Sequence, residues 1–215
     1  ARKKYFSMPE DDSNWTWNVA WWSDPVLLGK YPEEGLKKYE KYLPKITEKD
    51  MRLISEPIDV YGQNIYNGRA FRMGADGNPE EVGRVPGAGK TAVNWPVTPE
   101  CLYWGPKFLY ERYKKPIYIT ENGMACHDVV SLDQRVHDPN RIDFLARYLH
   151  ELKRAAEEID LRGYFQWSLM DNFEWEKGYA ERFGIVYVDF ETQERILKDS
   201  AYWYRDVIQT NGRDL

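Results

Sequence analysis

Three apolar runs in this chain end in polar groups that could meet a ligand. Residues 58–66 end in Asn64 and Tyr66, and residues 116–120 end in Glu121, Asn122 and Gly123. Residues 163–170 lead through Trp167 to Asp171, Asn172, Glu174 and Trp175. In parallel α/β architectures ligands sit beyond the carboxyl ends of the strands, so polar groups there carry more weight than polar groups elsewhere. A carboxylate directly after Ile117-Tyr118-Ile119-Thr120 is delivered to the sheet rim with little freedom. It is either a strand-terminating glutamate bonded to its own turn or a group that works on a ligand, and these residues alone leave both open. The aromatic share, 15% with 9 Trp and 16 Tyr, supplies flat apolar faces with a polar handle. Such faces suit stacking on sugar rings, and they equally serve ordinary packing.

The elements that must position these groups follow from periodicity and punctuation. Helices are predicted over 13–24, closed by Pro25, and over 32–42 and 47–55, the last opened by Thr47 with Asp50 three residues on. Residues 67–94, rich in Gly, Pro and Asn, show no sustained period and read as a long excursion loop. Helical spacing resumes over 99–113, with an interruption at Gly105-Pro106. The most regular helix is 138–159, with Ile142, Leu145, Leu149, Leu152 and Ala156 on one face. A hairpin of 183–190 with 195–198 and a final helix over 199–208 close the chain. Short apolar strands alternating with amphipathic helices are the mark of βα units around a parallel sheet. Three strands leave two unpaired edges, so something should complete the sheet. No repeat and no linker divides the chain, so residues 1–215 read as a single partial domain.

Composition narrows the classes of function. With 42% hydrophobic and 30% charged residues the chain can bury a core and keep a solvated surface. A net charge of -5 with acids and bases interspersed disfavours nucleic acid as a partner. No run approaches the ~18 apolar residues of a membrane span, and residues 1–5 lack the apolar core of an export signal. The two cysteines, Cys101 and Cys126, suggest neither a disulfide framework nor a zinc site, and a reducing cytoplasm fits them best. The three histidines, His127, His137 and His150, read as surface or helix-face residues, and Trp15, Trp17, Trp21 and Trp22 most simply as packing.

Against this background, Ile119-Thr120-Glu121-Asn122-Gly123 resembles the ITENG nucleophile motif of family 1 glycoside hydrolases, the β-glucosidase family. Residues 167–175 (WSLMDNFEW), followed by Gly178-Tyr179 and Arg182-Phe183-Gly184, are similar to a second signature of that family. Tyr61-Gly62-Gln63-Asn64-Ile65-Tyr66 matches its asparagine-bearing strand, and these matches run in the family's order. The resemblance implies the C-terminal portion of an α/β fold, the (β/α)8 TIM barrel, holding strands six to eight and incomplete on its own. It also implies a retaining reaction in which a carboxylate attacks the anomeric carbon and forms a covalent glycosyl-enzyme. By the same resemblance Glu121 is the nucleophile and Tyr66 the hydroxyl that holds it ionised and aimed. Asn64 stands near the same site, and Glu174 binds the sugar's 4- and 6-hydroxyls. Trp167 lies under the glycone ring, Trp175 donates toward the 3-hydroxyl, Phe183 forms an apolar wall and Trp95 stacks on the aglycone. Because a carboxylate at Glu174 would repel phosphate, a neutral hexoside is favoured over a phosphorylated one. No cofactor and no metal is called for.

One required group is missing. Retaining glycosidases need a second carboxyl group about 5 to 5.5 Å from the nucleophile, and the family's Asn-Glu-Pro acid/base motif does not occur here. Ser55-Glu56-Pro57 precedes its strand and falls at the opposite end of the sheet, so Glu56 is rejected. The expectation is a C-terminal fragment that acts with a complementary N-terminal barrel fragment supplying the acid. Two other readings stand beside it. One is a non-catalytic sugar-binding or interaction fragment, against which a retained Glu121 and Tyr66 argue. The other is a thioglycosidase like the myrosinases, decided by residues outside this chain.

Overall fold

The computed structural model describes residues 1–9 and 18–215. Four helices come first: α1 (Arg2–Phe6), α2 (Val19–Leu28), α3 (Glu33–Tyr39) and α4 (Glu48–Ile54). Strand β1 (Tyr61–Asn64) follows, then the antiparallel pair β2 (Phe71–Met73) and β3 (Pro79–Glu81). Next α5 (Cys101–Tyr113), β4 (Ile117–Asn122), α6 (Pro139–Ala156) and β5 (Leu161–Gln166) alternate. The chain closes with β6 (Val186–Val188), β7 (Arg195–Leu197) and α7 (Asp199–Gln209). Contacts gather these elements into two compact units that interleave along the sequence. The first is Ala1–Asp59 with Ala70–Gly83 and Arg112–Lys114, the second Val60–Arg69 with Arg84–Glu111 and Lys115–Leu215.

In the first unit the core is Met8, Ala20, Trp21 and Tyr39, with Phe6, Tyr31 and Leu43 packed against it. The Trp21 ring meets Tyr39 edge-on at 5.1 Å between centroids. Helix α2 opens at Asn18, whose side chain accepts from the Trp21 backbone N–H at 2.7 Å, and closes on Gly29 at φ 69°. The helix predicted over 13–24 therefore differs at both ends. Its first residues, with Trp15 and Trp17, lie outside the described residues, and Pro25 sits inside α2 rather than stopping it. The turn carrying Pro25 is held from the side, because buried Asp24 accepts from Arg112 Nε at 2.8 Å and from the Tyr113 hydroxyl at 2.7 Å. Tertiary bonds of this kind override a local breaker. At α4 the expected start is present as a reciprocal box, with Thr47 N–H on Asp50 at 2.9 Å and Asp50 N–H on Thr47 Oγ1 at 3.2 Å. Residues 67–94 hold more than a loop. A turn at Asp76-Gly77, with Gly77 at φ 78°, joins β2 to β3, and Arg72 meets Glu80 across the pair at 2.9 Å. Strands of three residues are too short to show an alternating period.

The second unit is built on a parallel sheet of order β1-β4-β5. Ile117 and Ile119 of β4 are fully buried, as the central strand of such a sheet requires. Two strands are shorter than their apolar runs. Residues 168–170 leave the ladder after Trp167 and bond instead to the segment 183–186, with Ser168 N–H on Phe183 O at 3.1 Å and Val186 N–H on Leu169 O at 2.9 Å. An apolar run records burial and not which neighbour takes the hydrogen bonds. Strands β6 and β7 pair antiparallel, Val186 with Leu197, inside the predicted hairpin. On α6 the buried face is Arg141, Phe144, Leu145, Tyr148, Leu149, Leu152 and Ala155. It is turned from the predicted stripe, so that Ile142 is half-buried and Ala156 exposed, because a buried arginine occupies a position that hydrophobicity assigns to the surface.

Candidate active site

The β1–β4 ladder is regular up to Ile119 and irregular immediately beyond it, while the β4–β5 ladder also shifts once earlier, between Ile117 and Tyr118. Gln63 pairs with Ile119 and Asn64 with Glu121, so β4 takes two steps where β1 takes one. On the other side Ile119 pairs with Tyr164 and Asn122 with Gln166, three steps against two. One extra residue is thus accommodated at Thr120-Glu121 relative to both neighbours. An extra residue breaks the strict alternation of faces. Asn122 is consequently fully buried, while Glu121 stays part-exposed at the strand end.

Glu121 meets Tyr66 there. The Tyr66 hydroxyl donates to Glu121 Oε2 at 2.8 Å. Burial first, then the bond to Glu121 and the charges of Glu121 and Glu174, push the Tyr66 hydroxyl far above the ordinary tyrosine range. It remains a donor over the whole neutral range. The Tyr66 ring contacts Trp95 at 5.1 Å and Phe183 at 6.3 Å between centroids, and Trp95 lies 6.0 Å from Phe183. Phe183 is buried, whereas Trp95 is 37% exposed and so offers a ring face to solvent.

Glu174 belongs to the same electrostatic cluster. Burial raises its carboxyl above the usual range, the hydrogen bond from Trp167 lowers it, and the charges of Glu121 and Glu181 raise it further. Trp167 therefore lies beside Glu174, and its backbone is tied to β4 by Trp167 N–H on Asn122 O at 2.8 Å. A non-proline cis peptide joins Trp167 to Ser168. The two remaining candidates stand apart from this group. Asn64 is exposed and its side-chain oxygen accepts from Thr120 Oγ1 at 2.7 Å. Trp175, at the head of a short 3-10 turn, is 78% exposed. The structure thus brings together Tyr66, Glu121, Trp95, Phe183, Trp167 and Glu174, with Asn64 beside the bulge and Trp175 at the surface.

Several residues that hold this arrangement carry little sequence signal. Gly123 is one: a Cβ there would stand 1.8 Å from Trp167 O, so only glycine lets the two strand ends approach. A buried ionic network is another. Asp128 pairs with Arg141 at 2.7 Å and Lys198 at 2.6 Å, and Lys198 also reaches Asp171 at 2.9 Å. Asp171 pairs in turn with Arg182 at 2.6 Å, and Arg141 further holds Asp138. Burial penalises the Asp128 carboxylate, yet the Arg141 and Lys198 cations outweigh it and hold this group below the usual carboxylate range. The network joins the segment after Glu121 to the segment that carries Glu174. The sequence signal that could have found it is a charge in register with the apolar face of α6, four residues before Leu145.

Among the described residues no group of three His, Cys, Asp or Glu side chains is gathered so as to hold a metal ion. No described helix is long and apolar enough to cross a membrane.

A parallel βα sheet with a carboxylate and a phenol meeting at its carboxyl end has the layout of a portion of an α/β barrel. The profile of glycosyl hydrolase family 1 matches residues 5–213, and the chain belongs to that family. β-Glucosidase A of Thermotoga maritima is 48% identical over 198 residues, which are 91% of this chain and 44% of that protein. The bifunctional β-D-glucosidase/β-D-fucosidase of Bifidobacterium breve is 43% identical, over 86% of this chain and 45% of its own length. Among solved structures, the Thermotoga maritima β-glucosidase in complex with castanospermine superposes with a TM-score of 0.80 at 47% identity, covering 91% of this chain and 44% of that one. The same enzyme in complex with glucoimidazole gives 0.80 at 44% identity, over 95% of this chain and 48% of that one. The chain therefore spans under half the length of these relatives.

Proposed function

We propose that this chain carries the nucleophile side of a retaining β-glycosidase site acting on terminal β-D-glucosyl or related neutral hexosyl residues. The observation that carries the reading is the 2.8 Å bond from the Tyr66 hydroxyl to Glu121 at the carboxyl end of the parallel sheet. In the first step a Glu121 oxygen attacks the anomeric carbon, the bond to the aglycone oxygen breaks, and that oxygen leaves with the electron pair and takes a proton from a general acid. In the second, water attacks the same carbon, gives up its proton to the conjugate base and releases Glu121, so the configuration is retained. Tyr66 holds the carboxylate aimed through its donated hydrogen bond. Glu174, steadied by Trp167, is the acceptor for sugar hydroxyls, and Trp95 with Phe183 forms the apolar flank. We assign Asn64 and Trp175 to the rim of the same sugar site.

The general acid is not among the residues named, and we assign it to a complementary N-terminal part of the barrel. The relatives, whose β-glucosidases run to more than twice the matched length, support this assignment. The test is intact-mass spectrometry with a 2-deoxy-2-fluoroglucosyl inhibitor whose leaving group is dinitrophenolate, which departs without protonation. A single added fluoroglucosyl mass localised by peptide mapping to Glu121 supports the reading. A folded chain that takes no label, alone or with an N-terminal partner, refutes it in favour of a sugar-binding role.

A further inference from the structure

The bulge in β4 turns one polar side chain inward between the three strand ends. Asn122 is fully buried, and its amide is satisfied on both sides. Its Nδ2 donates to the backbone oxygen of Ile65, the residue before Tyr66, at 2.8 Å. Its Oδ1 accepts from the Tyr164 hydroxyl of β5 at 2.9 Å. The Ile65 carbonyl can only accept, which fixes the amide's orientation and makes Tyr164 the donor. Burial also holds the Tyr164 hydroxyl well above the ordinary tyrosine range, so it keeps the proton it donates. The main chain of Asn122 adds a third tie, its oxygen accepting from Trp167 N–H at 2.8 Å. One residue thus touches the neighbours of Tyr66 and Trp167 and is itself the neighbour of Glu121.

We propose that Asn122, oriented by Tyr164, is a positioning residue that sets the approach of the Tyr66 hydroxyl to the Glu121 carboxylate. This rests on the reading of Glu121 as the nucleophile, but the geometry it describes is independent of any reaction. The physical argument is that a parallel ladder alone does not lock the ends of β1 and β4. The bulge removes regular pairing where Tyr66 and Glu121 must meet, and Ile65 N–H on Glu121 O at 3.0 Å is the main-chain bond that remains beside it. The Asn122 amide replaces the missing rung with a side chain, and Tyr164 stops that side chain from rotating. Reactive groups tolerate little misplacement, since about 1 Å can cost on the order of a hundredfold in rate.

The decisive variant is Tyr164→Phe, which removes one oxygen and keeps the ring. Asn122→Ala is the stronger change but leaves Ile65 O and the Tyr164 hydroxyl unpaired, and so risks the fold. Two measurements are made on the full chain. The first is NMR of the Tyr66 hydroxyl proton, assigned by its disappearance in Tyr66→Phe. The second is the rate of fluoroglucosyl labelling as a function of inhibitor concentration. In Tyr164→Phe we expect the Tyr66 proton to move into fast exchange with water. We also expect the saturating labelling rate to fall about tenfold, with the half-saturating concentration within about twofold of wild type. An unchanged Tyr66 proton overturns the proposal whatever the labelling does. So does an unchanged saturating rate in a variant whose wild type is labelled. If wild type takes no label, alone or with an N-terminal partner, while the Tyr66 proton is lost in Tyr164→Phe, the tie is supported and the glycosidase reading fails.

Discussion

Replacing Lys198 with Met tests the buried ionic network with one substitution. The side chain of Lys198 is fully buried, its ammonium lies 2.6 Å from Asp128 and 2.9 Å from Asp171, and both carboxylates are also buried. Met has a similar length and no charge, so packing is nearly conserved while two charge-assisted hydrogen bonds disappear. Each such bond is worth about 1.5–3 kcal/mol, giving a gross loss of about 3–6 kcal/mol. Two effects reduce it. An ammonium no longer has to be desolvated, and each aspartate keeps an arginine, Arg141 for Asp128 and Arg182 for Asp171. The expected net destabilisation is about 3 kcal/mol. With a urea slope near 3 kcal/mol per molar, the upper end for small proteins, the midpoint moves down by about 1 M. The assay is equilibrium urea unfolding followed by tryptophan fluorescence, repeated at 1 M salt, where a buried pair should lose little of its effect. A variant within about 1 kcal/mol of wild type, or more stable than it, refutes the argument, because the ammonium would then be replaceable by any side chain of its volume. The pH dependence supplies a second check of the same network. Asp128 is held below its unfolded value, so its contribution is present above about pH 4 and is lost as pH falls through the folded value.

Three further outcomes follow from particular contacts. Tyr66→Phe removes a hydrogen bond to a charged group, worth about 1.5–3 kcal/mol, so labelling of Glu121 should slow by about ten- to a hundredfold while melting stays near wild type; equal rates would show that Tyr66 does not aim the carboxylate. Gly123→Ala places a methyl group 1.8 Å from Trp167 O, and the strand ends must separate, at a cost of about 3 kcal/mol seen as a lower melting temperature together with loss of labelling; a variant that melts and labels like wild type contradicts the close approach. His137 lies between Asp199, at 2.6 Å, and Asp133, at 3.0 Å, and these carboxylates raise it above its ordinary 6.5. Its stabilising effect is therefore full below about pH 6.5 and lost as pH rises through the folded value. Wild type should melt higher than His137→Gln at pH 5.5 and converge with it above neutrality, and a gap that widens with pH would reverse the sign of the argument.

What the order of residues by itself determined is the kind of scaffold and the residue types at its rim. Runs of β-branched residues ending at Glu121 can bury only as an inner strand, and the motif around residues 167–175 identifies the family through short, contiguous stretches. Local rules also sufficed for the Thr47-Asp50 box, because both partners lie within one turn. They failed at Pro25, where Arg112 and Tyr113, 88 and 89 residues from the neighbouring Asp24, hold the helix turn through that aspartate. Three decisions belong to the tertiary structure alone. The bulge at Thr120-Glu121 has no composition of its own, since it is set by how β1 and β5 register against β4. Lys198 finds Asp128 across 70 residues and Asp171 across 27, a pairing that no periodicity encodes. Trp167 stands close enough to Glu174 to offset part of the burial that raises its carboxyl, so a residue expected beneath a sugar also favours the charged form of a carboxylate. Periodicity reports which side chains are taken out of water, whereas the partner each buried polar group finds depends on segments distant in sequence.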